Sequence, residues 1–106
     1  MRQVFIDKFV VPKDAVEEFT RRMNFNRAFI RNLPGFVQDA AYERTDESGN
    51  AIIVTIAIWQ SEDAIKTAKE AVQAEYAKTG FRLPEMLARL NITLERNTYT
   101  EMAQGT

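Results

Sequence analysis

Ala51-Ile52-Ile53-Val54-Thr55-Ile56-Ala57-Ile58-Trp59 is an apolar, largely β-branched run in which only Thr55 is polar. At nine residues it is too short to cross a bilayer and too β-branched for a favourable helix, so it predicts a strand with both faces away from water. In a chain of 106 residues, one layer of helices covers one face of a sheet and leaves the other bare. That second face needs a partner, most simply another copy of the same chain packed sheet to sheet as an isologous homodimer.

Upstream of this strand, the polar run Asp46-Glu47-Ser48-Gly49-Asn50 reads as a turn, and Phe36 to Thr45 as the strand that pairs across it in a hairpin. Downstream, Ser61 is placed to cap a helix whose first turn carries Glu62 and Asp63. Its inner stripe is Ile65, Ala68, Val72 and Tyr76, and Gly80 closes it. Near the start, Gln3 to Val10 is a strand with Val4, Ile6 and Val10 on one side and Phe5, Asp7 and Phe9 on the other. Pro12 breaks it. Asp14 with Glu17 predicts a capping box for a helix from about Asp14 to near Asn32, with Val16, Phe19, Met23, Ile30 and Leu33 at helical spacing and Leu33-Pro34-Gly35 as its stop. Pro84 opens a short helix through about Leu90, Asn91 to Tyr99 is the last strand, and the tail from Glu101 is expected to be mobile.

The order β-α-β-β-α-β predicts an α+β, ferredoxin-like fold in one domain over residues 1–106. Its four-stranded antiparallel sheet has the first and third strands in the middle. Two such sheets face to face form a dimeric α/β barrel.

Composition limits the chemistry. Lys plus Arg number 14 against 15 Asp plus Glu, a net charge of -1, which argues against nucleic acid or an anionic membrane as partner. With neither a leader pattern nor a membrane-length run, the expected location is the cytoplasm. Cysteine is absent, removing disulfides, thiolate nucleophiles and iron-sulfur ligation, and histidine is absent too, removing the usual metal ligand and the usual general base. No metal or cofactor is expected. Asp46, Ser48 and Asn50 only faintly resemble a calcium loop, because Ala57 stands where a bidentate Glu is required. Nor do the scattered glycines form a phosphate-binding or dinucleotide fingerprint.

Several residues carry both a functional and a structural reading. Trp59 shares the parity of Ile53, Thr55 and Ala57, placing it either at the mouth of a cavity, stacked on a flat aromatic ligand, or in the core. Asn26 falls on the stripe of Met23 and Ile30, so its amide needs a ligand or a nearby polar partner. Arg27 borders that stripe and either steadies a phenolate or reaches solvent. Asp7, between Phe5 and Phe9, is either a buried general base or the partner of a cation such as Arg96. Tyr42 and Tyr76 have inward parity and either bond a substrate oxygen or serve as core aromatics. Phe25 and Phe29 are expected to cover a loop, the short helix or a neighbouring subunit.

The segments Phe9-Val10-Val11-Pro12, Leu33-Pro34-Gly35-Phe36 and Trp59-Gln60-Ser61-Glu62-Asp63-Ala64 resemble the antibiotic biosynthesis monooxygenase domain, a branch of the dimeric α/β-barrel superfamily, over nearly the whole chain. The resemblance implies a small, cofactor-independent oxygenase that oxidises polycyclic phenols with molecular oxygen. Other members degrade haem. That branch resembles this chain at Trp59 but uses a ligating His on the second helix and an Asn in the first strand, neither of which is present, so haem degradation is disfavoured. The quinone-forming branch resembles it at Trp59 and often has an Asn four residues earlier, where Thr55 stands as a positional match. The leading expectation is therefore a monooxygenase acting on a small or polycyclic hydroxyaromatic. The alternatives are a noncatalytic dimeric module, binding a small molecule or serving assembly, and an oxygen-independent isomerase or cyclase of the same superfamily.

Overall fold

The computed structural model describes residues 1–103. Strand β1 (Gln3–Val11) leads through a 3-10 turn at Lys13–Ala15 into helix α1 (Val16–Ile30). Strands β2 (Phe36–Thr45) and β3 (Ala51–Trp59) form the hairpin, followed by helix α2 (Glu62–Thr79), the short helix α3 (Leu83–Arg89) and strand β4 (Thr93–Thr100). The sheet order is β2-β3-β1-β4 with every neighbouring pair antiparallel, so β1 and β3 are central, as the hydrophobic pattern predicts.

Local signals act mostly where expected. Ser61 Oγ accepts from the Ala64 amide at 3.1 Å, and Gly80 takes the left-handed conformation with φ 74° that ends α2. In the hairpin turn, Asp46 Oδ1 accepts from the amides of Ser48 and Asn50, each at 2.9 Å. At the start of α1 the predicted capping box does not form. The Ala15 amide bonds Pro12 O at 2.8 Å, winding Lys13–Ala15 into a 3-10 turn, and Ala15 occupies the cap position with no side-chain bond. The helix stops at Ile30, and the amides of Asn32 and Leu33 then bond the carbonyls three residues back, Phe29 O and Ile30 O, in tighter turns. Part of the tail expected to be mobile, residues 104–106, lies outside the described residues; Glu101 donates its amide to Arg2 O at 2.9 Å.

The helices pack on one face of the sheet, against Phe5, Phe9, Val11, Ile53 and Trp59. The opposite face carries Val4, Ile6, Val10, Val54, Ile56 and Ile58 from the two central strands. The molecule measures 43 × 39 × 18 Å, and its short dimension matches one sheet and one helical layer. No helix among the described residues is long and apolar enough to cross a membrane.

Strand β2 carries a register shift between Phe36 and Gln38 that decides which of its side chains face the helices. Phe36 aligns with Trp59, but past the shift it is Asp39 and Ala41 that share its face, opposite Ala57 and Thr55. Tyr42, inward by simple alternation from Phe36, stands instead on the opposite face beside Val54 and is 62% exposed.

Candidate functional site

Two hydrophobic clusters form on the helical face of the sheet. One joins Phe9, Val11, Phe19, Ile53, Met86 and Ile92; the other joins Trp59, Ile65 and Ala68, with Phe5, Ile30 and Phe36 against them. Between them a cross-strand rung is polar: Thr55 of β3 lies opposite Asp7 of β1, and Asp7 opposite Arg96 of β4. Above this rung the layers do not close, leaving a cavity of about 870 Å³ bordered by Phe5, Asp7, Asn26, Thr55, Trp59 and Tyr76. Such a volume suits a ligand of one to several rings.

The structure brings six of the seven sequence-predicted candidates to this cavity: Asp7, Asn26, Arg27, Thr55, Trp59 and Tyr76. Tyr42 is outside it, for the reason given by the β2 bulge. Trp59 is both wall and core, 4% exposed, with its ring edge-on to Phe36 at 5.5 Å. Asn26 Nδ2 donates to the Tyr76 hydroxyl at 2.9 Å, tying α1 to α2 across the roof of the cavity. Burial pushes the Tyr76 phenol above its ordinary range, partly offset by the charges of Arg22 and Arg96 and the Asn26 bond. At neutral pH this tyrosine is a hydrogen-bonding alcohol and not a base.

Neither cavity carboxylate is free. Arg96 grips Asp7 through Nε and Nη2 at 2.8 and 2.9 Å, the cation pairing expected as one reading of Asp7. Asp39 accepts from Arg27 Nε at 2.6 Å and from Arg31 Nε at 3.0 Å. Burial opposes the charge on Asp39, but the two arginine hydrogen bonds outweigh it and hold the carboxyl below its usual range. Arg27 is thus engaged with Asp39 and neither free to steady a phenolate alone nor extended into solvent.

No protein-family model matches the chain and no curated protein matches it. Solved structures do. SnoaB, a cofactor-independent oxygenase from Streptomyces nogalater, is 28% identical, with 97% of this chain and 95% of that chain covered at a TM-score of 0.66. The chain is similar over nearly its whole length to a cofactor-independent oxygenase and shares the fold of proteins named antibiotic biosynthesis monooxygenases. The same fold is shared by a candidate monooxygenase from Shewanella loihica, at 21% identity with 97% and 96% of the two chains covered and a TM-score of 0.70. It is also shared by a candidate antibiotic biosynthesis monooxygenase from Deinococcus radiodurans, at 14% identity, 98% and 96% coverage and a TM-score of 0.67.

Sequence reasoning missed several cavity residues, Asp39 and Arg22 among them. Asp39 was hidden by the bulge, which reverses the parity of β2. Arg22 had a readable signal: it lies three residues after Phe19 and four before Asn26, on the inner stripe of α1. Its guanidinium carbon lies 3.6 Å from the Phe81 ring centre, 4.8 Å from Phe25 and 5.3 Å from Tyr76. Phe25, expected to cover a neighbouring element, is 49% exposed and forms one side of this stack. The cavity is also rich in positive charge, with Arg22, Arg27, Lys69, Arg82 and Arg96 against Asp7 and Asp39, in a chain whose net charge is -1.

Proposed function

We propose that this protein is a cofactor-independent monooxygenase that oxidises a small or polycyclic hydroxyaromatic with molecular oxygen. The observation that carries the proposal is a ring-sized cavity with apolar walls and an excess of basic side chains. The likeness to SnoaB, named a cofactor-independent oxygenase, supports it, whereas the fold alone supports no single activity. A substrate with a methylene between two aromatic rings supplies its own electrons. Dioxygen places one oxygen atom on that carbon as a carbonyl, and the second leaves as water with the two hydrogens.

The reacting form of such a substrate is its phenolate or enolate. Because Asp7 and Asp39 are committed to arginines, the protein's contribution to ionisation is electrostatic: the excess of cationic side chains at the cavity lowers the cost of the substrate anion, whose proton passes to solvent. Trp59 and Phe5 offer aromatic surface for the rings, and Thr55 and Tyr76 offer hydroxyls to an oxygen substituent.

Oxygen uptake with an anthrone, in buffer without metal, flavin or nicotinamide, tests the proposal. One dioxygen is expected to be consumed per quinone formed. Trp59→Phe is expected to lower kcat/KM by about tenfold, the loss of roughly 1.4 kcal/mol of transition-state stabilisation. Ligand binding without oxygen uptake across a phenolic panel would instead identify a binding module, and product formed anaerobically an isomerase or cyclase.

The same proposal includes a homodimer closed through the bare sheet face. Val54, Ile56 and Ile58 beside Val4 and Ile6 give that face an apolar centre, and Tyr42 and Tyr99, 62% and 50% exposed, add aromatic surface around it. Sedimentation equilibrium is expected to give twice the chain mass, and Ile56→Glu, which puts a charge in the middle of the face, to give the single-chain mass with the far-UV circular dichroism unchanged. A wild-type monomer at micromolar concentration would rule this assembly out.

A further inference from the structure

Of the cationic groups at the cavity, Arg22 is the one with buried donors that lack a hydrogen-bond partner among the described residues; Lys69, which also holds no carboxylate, is exposed, with its Nζ 5.4 Å from the Phe5 ring centre. Arg96 and Arg27 hold buried carboxylates, and Arg82 lies 3.5 Å from Glu85 at an exposed site. Arg22 holds none. Its Nε and Nη2 are both buried and have no hydrogen-bond partner among the described residues. A long, flexible arginine ordinarily carries its charge to water while its methylenes cover apolar surface. Here the guanidinium is instead drawn in against the faces of Phe81, Phe25 and Tyr76, where ring quadrupoles stabilise its charge but provide no acceptor for those two donors.

The unpaired edge has a counterpart elsewhere in the molecule. Arg96 binds the carboxylate of Asp7 through the same two atoms, Nε and Nη2, at 2.8 and 2.9 Å. This edge of a guanidinium matches the two oxygens of a planar carboxylate. Next to Arg22 stand the Tyr76 hydroxyl, which accepts from Asn26 and keeps its own proton to donate, and the open volume of the cavity. We propose that Arg22 makes the cavity selective for an aromatic carboxylic acid, turning its Nε and Nη2 edge out of the aromatic stack to pair with the ligand's carboxylate while the rings lie toward Trp59. This rests on the proposed hydroxyaromatic substrate and narrows it to acids. The aromatic stack holds the cation until the acid arrives, and its wall at Phe25, 49% exposed, has room to move aside.

A matched pair of ligands separates charge recognition from ring binding: 3-hydroxy-2-naphthoate and 2-naphthol, titrated calorimetrically into the full chain at pH 7.5. The wild type is expected to bind the acid at least tenfold more tightly than the naphthol, with the difference shrinking as salt is raised. Arg22→Gln is expected to bring the ratio of the two affinities to within about twofold, and Arg22→Lys, which keeps the charge but loses the fork, to leave it between these limits. Equal wild-type affinities, no binding of either ligand, or a preference that survives in Arg22→Gln would overturn the proposal. If Arg22→Gln fails to fold, Arg22→Lys carries the test, since a wild-type ratio in that variant would overturn the proposal. Oxygen uptake is measured separately with an uncharged anthrone. Acid selectivity without uptake leaves this inference standing and removes the oxygenase; uptake without selectivity does the reverse.

Discussion

Gly35→Ala is expected to destabilise the protein by about 3 kcal/mol or more, from two additive causes. Gly35 has φ +81°, a left-handed conformation that costs an alanine about 1–2 kcal/mol. A Cβ built there stands 2.4 Å from the Ala64 Cβ, well inside contact distance, at the first turn of α2. Neither atom is the tip of a flexible side chain, so relief requires the backbone to move. The Gly35 carbonyl also accepts from the Gln60 amide at 2.9 Å, which fixes the corner against the end of β3. Urea unfolding measures the loss. Ala64→Gly in the same chain is expected to return the steric part, about half, while Gly49→Ala, with φ +86° and nothing within 4 Å of the new Cβ, is expected to show the backbone cost alone. A Gly35→Ala protein within about 1 kcal/mol of wild type would mean that the corner and α2 are not held this tightly.

Asp39→Asn is expected to cost about 3 kcal/mol, because the Asp39 side chain is only 7% exposed and serves both Arg27 and Arg31. Removing its charge leaves Arg27, 23% exposed, without its anionic partner at the cavity edge. Arg31 is half exposed and contributes little, since water replaces its partner. The pH dependence carries a definite sign. The folded protein holds Asp39 below its ordinary value, so the unfolded chain takes up the proton first as pH falls. The stabilisation is complete above the unfolded value of about 4 and is lost as pH falls through the lowered folded value. Wild type and Asp39→Asn are therefore expected to differ most near neutral pH and to converge in acid. A constant difference down to the lowest pH at which both remain folded would show that the carboxylate charge is not the cause.

The candidate site was legible where one element decided the outcome. Trp59 and Thr55 follow from the alternation of β3, and Asn26 from its place between Met23 and Ile30 on α1. Asp7 carried two readings, a buried general base or the partner of a cation such as Arg96, and the structure pairs it with Arg96. Tyr42 and Asp39 exchanged roles, because a single extra residue in β2 reverses the faces of every side chain after it. Arg22 was passed over because an arginine beside a helical stripe ordinarily turns outward, and only the rings of Phe81, Phe25 and Tyr76 together hold it in.

The amino-acid sequence by itself determined the order of elements, the central position of β3 and the fold they make, because hydrophobic period, β-branching and the cap at Ser61 act between residues close along the chain. Only the tertiary structure decided how charge is distributed in the cavity. Asp7 and Arg96 are 89 positions apart and Asn26 and Tyr76 are 50 apart, and Nε and Nη2 of Arg22 lack a partner among the described residues because of where α1 sits relative to Phe81. Hydrogen bonds and ion pairs depend on distances of a few tenths of an ångström, which local periodicity cannot set and the packing of whole elements can.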